Sequence, residues 1–181
     1  MSTRFGEIRQ IAFVVRDLDA ALKYWTETLG VGPFFVMRRV QPDEFRYRGE
    51  PSPAPVMSIA LGNSGDLQVE IIEQHDDSPS AYKDFIDRGR EGMQHVSAWT
   101  TSAGYDEVMK RALDDGLTVA HEGKLAAAGV RFAYFDTEGY AGGLLYEIAD
   151  LLEGAIYPFV EMIAAEARTW DGHTDPVREM G

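Results

Sequence analysis

The sequence contains no cysteine, which excludes disulfide bridges, thiolate metal ligands and cysteine nucleophiles. Basic residues are scarce, because 17 lysines and arginines stand against 30 aspartates and glutamates, a formal net charge of −13 at pH 7. This charge would repel nucleic acids and anionic membrane surfaces, so we expect neither as a partner. No apolar run approaches the roughly 20 residues of a membrane span, and no signal-peptide core follows the first residue. A cytoplasmic location is the default expectation.

The 181 residues do include enough apolar side chains, 45% of the total, for one packed domain. A first stretch begins with a β-branched and aromatic strand at 8–15. A helix follows, with Asp17 as its N-cap and Gly30 just past its end. Two more strands at 56–61 and 67–72 complete this stretch.

A second stretch repeats this order of elements. It begins with a strand at 93–99, continues with a helix that ends at Gly116, and closes with strands at 130–136 and 144–149 around a glycine-rich turn at 137–143. A β-α-β-β-β unit that occurs twice indicates an internal repeat. The alternative is a generic α+β domain whose two helices are similarly placed.

The repeat predicts an α+β fold in which two βαβββ modules form one cupped mixed β-sheet with flanking helices. We place module one at 7–75, a linker helix at 78–89 that begins at Ser78-Pro79, module two at 92–150, and a C-terminal helix and tail at 153–181, all in a single domain spanning 1–181. Module one is longer, which places a loop insertion at 37–55. The C-terminal helix should pack on the domain or on a partner chain, and the polar tail 171–181 should be loose.

Alternation of side chains along the strands singles out four polar residues in matching positions. Gln10 and His95 lie in the two opening strands, and Glu70 and Glu147 lie in the two closing strands, all facing away from the helices. A carboxylate among apolar neighbours costs free energy unless it is paired or bound. If the sheet curves, three oxygens and one nitrogen converge, a set that suits zinc, nickel, cobalt or manganese. Alternatively, His95 is a hydrogen-bonded structural residue and Gln10 a donor to a ligand.

The segments 10–22, 92–99 and 143–148 resemble the vicinal oxygen chelate superfamily, which includes glyoxalase I, methylmalonyl-CoA epimerase, extradiol dioxygenases and bleomycin-resistance proteins. The resemblance covers residues 7–150. It implies that Gln10, Glu70, His95 and Glu147 bind a divalent metal ion. It further implies that Glu147, with Glu70 as its partner, moves a proton next to a metal-bound carbonyl. A small carbonyl or thioester substrate and a homodimer are also typical of this superfamily.

Three departures from the superfamily's patterns leave the activity open. Val14 stands where glyoxalase I has an arginine for the glutathione carboxylate, and the strand at 56–61 lacks the epimerase's further acid/base glutamate. Extradiol dioxygenases use two histidines, whereas His95 is the only histidine at a ligand position. We therefore expect a metal-dependent lyase or isomerase of the glyoxalase/epimerase type. The alternatives are a drug-sequestering binding protein without catalysis and an iron-dependent extradiol dioxygenase.

Three further residues are candidates for substrate binding. Trp99 and Phe35 could line the pocket, although packing in the core explains them equally well. Arg38 belongs to a group of four arginines within the insertion. In so acidic a chain these arginines could attract an anionic substrate such as a carboxylate or a CoA thioester, or they could simply form a solvated loop.

Overall fold

The computed structural model describes residues 2, 4–139 and 143–180, so part of the predicted glycine-rich turn, residues 140–142, lies outside the described residues. The strands are β1 (Ile8–Val14), β2 (Phe34–Val40), β3 (Glu44–Tyr47), β4 (Glu50–Pro51), β5 (Met57–Ser64), β6 (Leu67–Gln74), β7 (Gly92–Trp99), β8 (Val119–Leu125), β9 (Val130–Phe135), β10 (Leu145–Ala149) and β11 (Val177–Met180). The helices are α1 (Leu18–Lys23), which a π-helical turn continues over Tyr24–Thr28, α2 (Ala81–Asp87), α3 (Ser102–Asp114) and α4 (Tyr157–Thr169).

All these strands form one mixed sheet in the order β11-β2-β5-β6-β1-β7-β10-β9-β8-β3-β4. The two modules meet at its centre, where β1 and β7 pair antiparallel with Ala12 opposite His95. Each opening strand pairs in parallel with the closing strand of its own module, β1 with β6 and β7 with β10. The order of strands is therefore mirrored about the β1–β7 pair, and the predicted α+β fold with two βαβββ modules is confirmed.

Local signals explain where the helices begin. The Asp17 side chain accepts a hydrogen bond from the Ala20 backbone N–H at 2.9 Å, so Asp17 caps α1 as the sequence predicts. Helix α2 begins later than predicted, because its N-cap is Ser80 rather than Ser78. The Ser80 hydroxyl accepts from the Lys83 backbone N–H at 2.9 Å, whereas the Ser78 hydroxyl donates to Asp76 at 2.7 Å.

Side chains alternate between the two faces of the sheet, as the sequence predicts. Ile11 and Phe13 of β1 pack with Leu18 and Leu22 of α1, whereas Gln10 lies on the opposite, concave face. In module two, α3 packs on the corresponding outer face of β9 and β10. The polar residues of interest therefore share the concave face, away from α1 and α3.

The segment predicted as a loop insertion is partly regular structure. Strand β3 pairs antiparallel with β8, so the chain that leaves β2 crosses to the far edge of module two. Gly123 of β8 permits this close approach, because a Cβ there would lie 2.9 Å from the Glu44 carbonyl oxygen and 2.6 Å from the Phe132 ring. Residues 41–43 thus bridge the two edges of the sheet above its concave face.

The C-terminal segment also differs from the expectation of a loose tail. Strand β11 pairs in parallel with β2, and Arg178 forms a 2.9 Å ion pair with Glu166 of α4. Helix α4 itself packs on the domain, where Val160 and Ile163 are buried among residues of the concave face. None of the helices in the described part of the chain has the length and apolar character needed to cross a membrane.

Candidate metal centre

Three of the four predicted ligands meet on the concave face. His95 Nε2 lies 3.4 Å from Glu70 Oε2 and 3.7 Å from Glu147 Oε2, and one ligand atom from each residue lies within 4.8 Å of the other two. The residues come from β7, β6 and β10. Glu70 and His95 both lie opposite Ala12 of β1, and Glu147 lies opposite Ser97, two residues along β7 from His95. Residues that lie 25 to 77 positions apart in the sequence therefore form one cluster.

This cluster fits a divalent cation. Bonds of about 2.0–2.2 Å to nitrogen and oxygen place neighbouring ligand atoms roughly 3–3.5 Å apart, close to the separations seen here. The His95 side chain is fully buried, and the side chains of Glu70 and Glu147 are only 12% and 8% exposed. The two carboxyl groups are buried side by side, and no lysine or arginine lines their cavity among the residues that the structure describes, so a cation would neutralise them.

Burial shifts the ionisation of all three residues. Loss of hydration raises the pKa of Glu70 to about 8 and the pKa of Glu147 to about 7, the latter opposed by the nearby imidazole. Burial also lowers the pKa of His95 to about 4, although Glu147 acts in the opposite direction. His95 is therefore neutral near pH 7, which is the form that binds a metal ion.

The neighbouring Gln94 sets the tautomer of His95. Gln94 Nε2 donates to the Ala81 carbonyl oxygen at 3.0 Å, so its Oε1 accepts from His95 Nδ1–H at 2.8 Å. This arrangement leaves the Nε2 lone pair facing the two carboxyl groups. A bulge makes it possible, because Ala12 pairs with His95 and Phe13 with Met93, which leaves Gln94 without an opposite residue on β1.

Two buried tyrosines complete the surroundings of the imidazole. The Tyr134 hydroxyl lies 3.2 Å from His95 Nε2, and it accepts a hydrogen bond from the Tyr82 hydroxyl at 2.9 Å. Burial raises the pKa of both tyrosines well above the ordinary value, so both stay protonated and can act as donors. A bound cation would take the Nε2 lone pair and leave the Tyr134 hydroxyl free to donate to a carboxylate.

Gln10, the fourth predicted ligand, lies beside this cluster and lines the same cavity as Glu70 and Glu147. Its Nε2 donates to Gln68 Oε1 at 2.8 Å, which leaves the Gln10 Oε1 for a cation or a substrate. Gln68 Nε2 is buried and has no hydrogen-bond partner within the described ranges.

The cluster lies at the floor of a cavity of about 420 Å³. The walls are mainly apolar and come from β2, β5, β9 and the start of α4, with Ile59, Phe132 and Phe159 as examples. The rim includes Gln41 and Asp43 of the bridging segment and residues of the turn 125–128, several of them exposed. No lysine or arginine belongs to the lining in the described part of the chain.

The three predicted substrate contacts lie outside this cavity. Trp99 lines a separate groove beside α4, with the Arg9 guanidinium 6.0 Å from the centre of its ring.

Phe35 is on the concave face, but Phe159 covers it, with the ring centroids 6.2 Å apart. Arg38 points away from the cavity and pairs with Asp19 at 2.6 Å and Glu179 at 2.9 Å. Arg38 therefore has structural partners and does not belong to the lining of this cavity.

Sequence reasoning missed Gln68, Gln94, Tyr82 and Tyr134. Gln68 had a usable signal, because it lies two residues before Glu70 and therefore on the same face of β6. Gln94 had none, because strict alternation would have placed it on the face opposite to His95. The tyrosines come from α2 and β9, and only tertiary packing brings them to the site.

The fold and the buried Glu-His-Glu cluster define a protein of the glyoxalase type. A family model described as "Glyoxalase/Bleomycin resistance protein/Dioxygenase superfamily" matches residues 9–134, and the chain belongs to this superfamily. The resemblance drawn from the sequence is thereby confirmed.

Solved structures with the same fold include a hypothetical protein from Bacillus halodurans C-125, with 20% identity, 82% of this chain and 96% of that chain covered, and a TM-score of 0.57. Methylmalonyl-CoA epimerase from Mycobacterium tuberculosis is 17% identical, with coverages of 83% and 91% and a TM-score of 0.54. A selenomethionine form of methylmalonyl-CoA epimerase is 20% identical, with coverages of 83% and 98% and a TM-score of 0.52. The comparison with curated proteins found no match.

Proposed function

We propose that the protein is a metal-dependent lyase or isomerase of the glyoxalase/epimerase type, which transfers a proton at the carbon next to a carbonyl group of a small molecule. The observation that carries this proposal is the convergence of Glu70, His95 and Glu147 at the floor of a cavity. Membership of the superfamily and the likeness in fold to methylmalonyl-CoA epimerases support it.

The residues that would hold the cation are Glu70, His95, Glu147 and Gln10. Their mixture of carboxylate, imidazole and amide ligands suits zinc, nickel, cobalt or manganese. When bound, such an ion polarises a carbonyl oxygen and makes the adjacent C–H bond more acidic.

The two glutamates are the groups that would move the proton. Burial raises the pKa values of both carboxyl groups to near 7 or 8. Groups with such pKa values can accept and return a proton at physiological pH. Glu147 is the base, and Glu70 is its partner beside it. The apolar walls exclude water from the reacting carbon, and the Tyr134 hydroxyl can donate to the carboxylate that is not carrying the proton.

Strand β5, which directly precedes the strand that carries Glu70, limits the type of isomerisation. The residues of β5 that line the cavity are Met57, Ile59 and Leu61, none of which can transfer a proton. Proton transfer on both faces of the substrate therefore falls to the two glutamates. A carbonyl or thioester substrate, a homodimer and a cytoplasmic location belong to the same proposal, and light scattering tests the dimer.

A second candidate function is small-molecule binding without catalysis, as in the drug-sequestering members of this superfamily. The mainly apolar lining of the cavity favours this candidate. The iron-dependent dioxygenase is less well supported, because no second histidine joins the Glu-His-Glu group among the residues that the structure describes.

Hydrogen–deuterium exchange distinguishes these functions. We would incubate the protein with zinc, nickel, cobalt or manganese and a panel of small ketones, diones and thioesters in heavy water, and follow the protons next to the carbonyl by NMR. The proposal predicts exchange with at least one metal and compound, and its loss in Glu147→Gln. Glu161→Gln, which changes an exposed carboxylate of α4, serves as the control and should leave the exchange unchanged. Binding without exchange throughout the panel would favour the binding protein.

A further inference from the structure

The cavity above the glutamates is unusual in having almost no groups that could neutralise an anion. Of the side chains that line it, 15 are apolar, and none is a lysine or an arginine within residues 4–139 and 143–180. Its charged residues are all acidic: Asp43 at the rim and the two glutamates at the floor. An anionic group in this cavity would lose its hydration without gaining an ion pair with a side chain, and the two glutamates already balance the charge of a divalent cation at the floor.

Two arginines of the insertion that could have bound an anion form ion pairs elsewhere. Arg38 pairs with Asp19 and Glu179, and Arg48 pairs with Asp84 at 3.0 Å. Neither belongs to the cavity lining. The distribution of charge therefore selects against carboxylates and phosphates, even though these are common in substrates.

One polar atom of the residues that line the cavity has no hydrogen-bond partner within the described residues. Gln68 is 1% exposed, its Oε1 accepts from Gln10 Nε2 at 2.8 Å, and its Nε2 is without a partner among the described residues. If Gln10 turns its oxygen towards a cation, its nitrogen must face Gln68, so Gln68 must accept through oxygen and present its –NH2 to the cavity. A buried amide donor left unpaired is destabilising, and an oxygen of a ligand would satisfy it.

We propose that the site takes an uncharged carbonyl compound with an apolar substituent, and that Gln68 Nε2 donates a hydrogen bond to one of its oxygens. This inference rests on the proposed function, from which the orientation of Gln10 follows. Gln68 is a residue that determines specificity: it contacts the substrate at an oxygen, while the apolar walls contact the substituent.

Isothermal titration calorimetry with matched probes tests this proposal, with the metal content of the same sample measured in parallel. The reference probe is 1-phenyl-1,2-propanedione, called the phenyl dione below. Three compounds each change one feature of it: 2,3-butanedione lacks the ring, and benzoylformate has a carboxylate in place of the methyl ketone. The third, n-propylbenzene, keeps the carbon skeleton but has no oxygen. The affinity for the phenyl dione should be at least about tenfold higher than the affinity for 2,3-butanedione, because the ring is buried against apolar walls. It should exceed the affinity for benzoylformate by a similar factor, because the benzoylformate carboxylate finds no basic side chain and brings a third negative charge to a centre whose cation the two glutamates already balance.

The variant Gln68→Met keeps the length of the side chain and removes the donor. It should weaken binding of the phenyl dione about tenfold and leave the affinity for n-propylbenzene within about twofold, because the hydrocarbon has no oxygen to receive the hydrogen bond. Equal loss of affinity for both probes would overturn the role of Gln68, because the change would then be a general disturbance of the cavity.

The wild-type comparisons decide the substrate class even if the variant does not fold. Benzoylformate binding as tightly as the phenyl dione would overturn the inference while leaving the proposed metal chemistry standing. A different result is a sample that contains no metal but still binds the phenyl dione more tightly than both other carbonyl probes. That result would contradict the proposed function and support the inferred substrate class.

Discussion

The candidate centre depends on a few buried polar side chains, each with a partner that fixes its orientation. Gln94 is the clearest case, because the Ala81 carbonyl oxygen orients its amide and the amide then orients the His95 ring. Neighbours of this kind commonly contribute as much to a metal site as a weak ligand does. The proposed ligands therefore cannot be judged apart from the residues that hold them.

Replacing Gln94 should weaken metal binding without removing a ligand. In Gln94→Met the His95 ring loses the acceptor for Nδ1–H, and we expect the affinity for zinc or nickel to fall about 10- to 100-fold. Gln94→Glu keeps an oxygen in the same position and should lose less. Competition with a chromogenic chelator measures both, and equal affinities for the wild type and Gln94→Met would contradict the role given to Gln94.

The stabilisation produced by the metal should depend on pH. The pKa values of about 8 for Glu70 and about 7 for Glu147 are raised above the unfolded values, so the metal-free protein loses stability as pH rises through them. A cation binds the ionised forms, and below these pKa values it must displace protons. The metal-induced increase in Tm should therefore grow from about pH 6 to about pH 8 and then level off. Thermal unfolding with and without saturating zinc measures this, and a larger increase at the lower pH would disagree with it.

At the scale of elements, helices were easier to predict than edge strands. Helix α1 has an N-cap at Asp17 and a glycine past its end, Gly30, at a φ of +66°, and both signals lie within the sequence of the helix. Strands β8 and β11 have no comparable signal. Their sequences mix charged and apolar residues, and they are strands because β3, β9 and β2 offer backbone partners. The bulge at Gln94 arises from pairing across the module boundary and is equally invisible locally.

The pairing of β3 with β8 depends on a residue without a side chain. In Gly123→Ala the new Cβ would meet the Glu44 carbonyl oxygen at 2.9 Å and the Phe132 ring at 2.6 Å. We expect a loss of about 1–3 kcal/mol in the free energy of unfolding, with faster hydrogen exchange in β3. Urea denaturation and exchange mass spectrometry measure these effects.

Gly139→Ala is the matched control for this substitution, because nothing lies within 4 Å of the Cβ that it would add. It should change the free energy of unfolding by less than about 0.5 kcal/mol. If both variants were equally stable, β3 would not be held against β8 as described.

At the scale of the whole molecule, the repeat of the βαβββ module explains why the residues of the metal centre could be predicted from the sequence. Equivalent positions in the two modules predicted which residues face inward, and the mirrored sheet brings Glu70, His95 and Glu147 together. The residues that line the substrate cavity could not be predicted in this way. The predictions for Trp99, Phe35 and Arg38 rest on residue type and local sequence, whereas the cavity is shaped by the bridging segment 41–43 and by α4, whose positions are set by long-range packing.

The central claim is that one divalent cation binds between the two glutamates and His95, and the metal content of the purified protein tests it most directly. Protein purified without chelator, or reloaded by dialysis, should contain about one equivalent of zinc, nickel, cobalt or manganese per chain. His95→Ala should contain almost none, because it removes the one nitrogen ligand between the carboxylates. A wild-type chain that takes up no metal, or a His95→Ala variant that retains a full equivalent, would contradict the account.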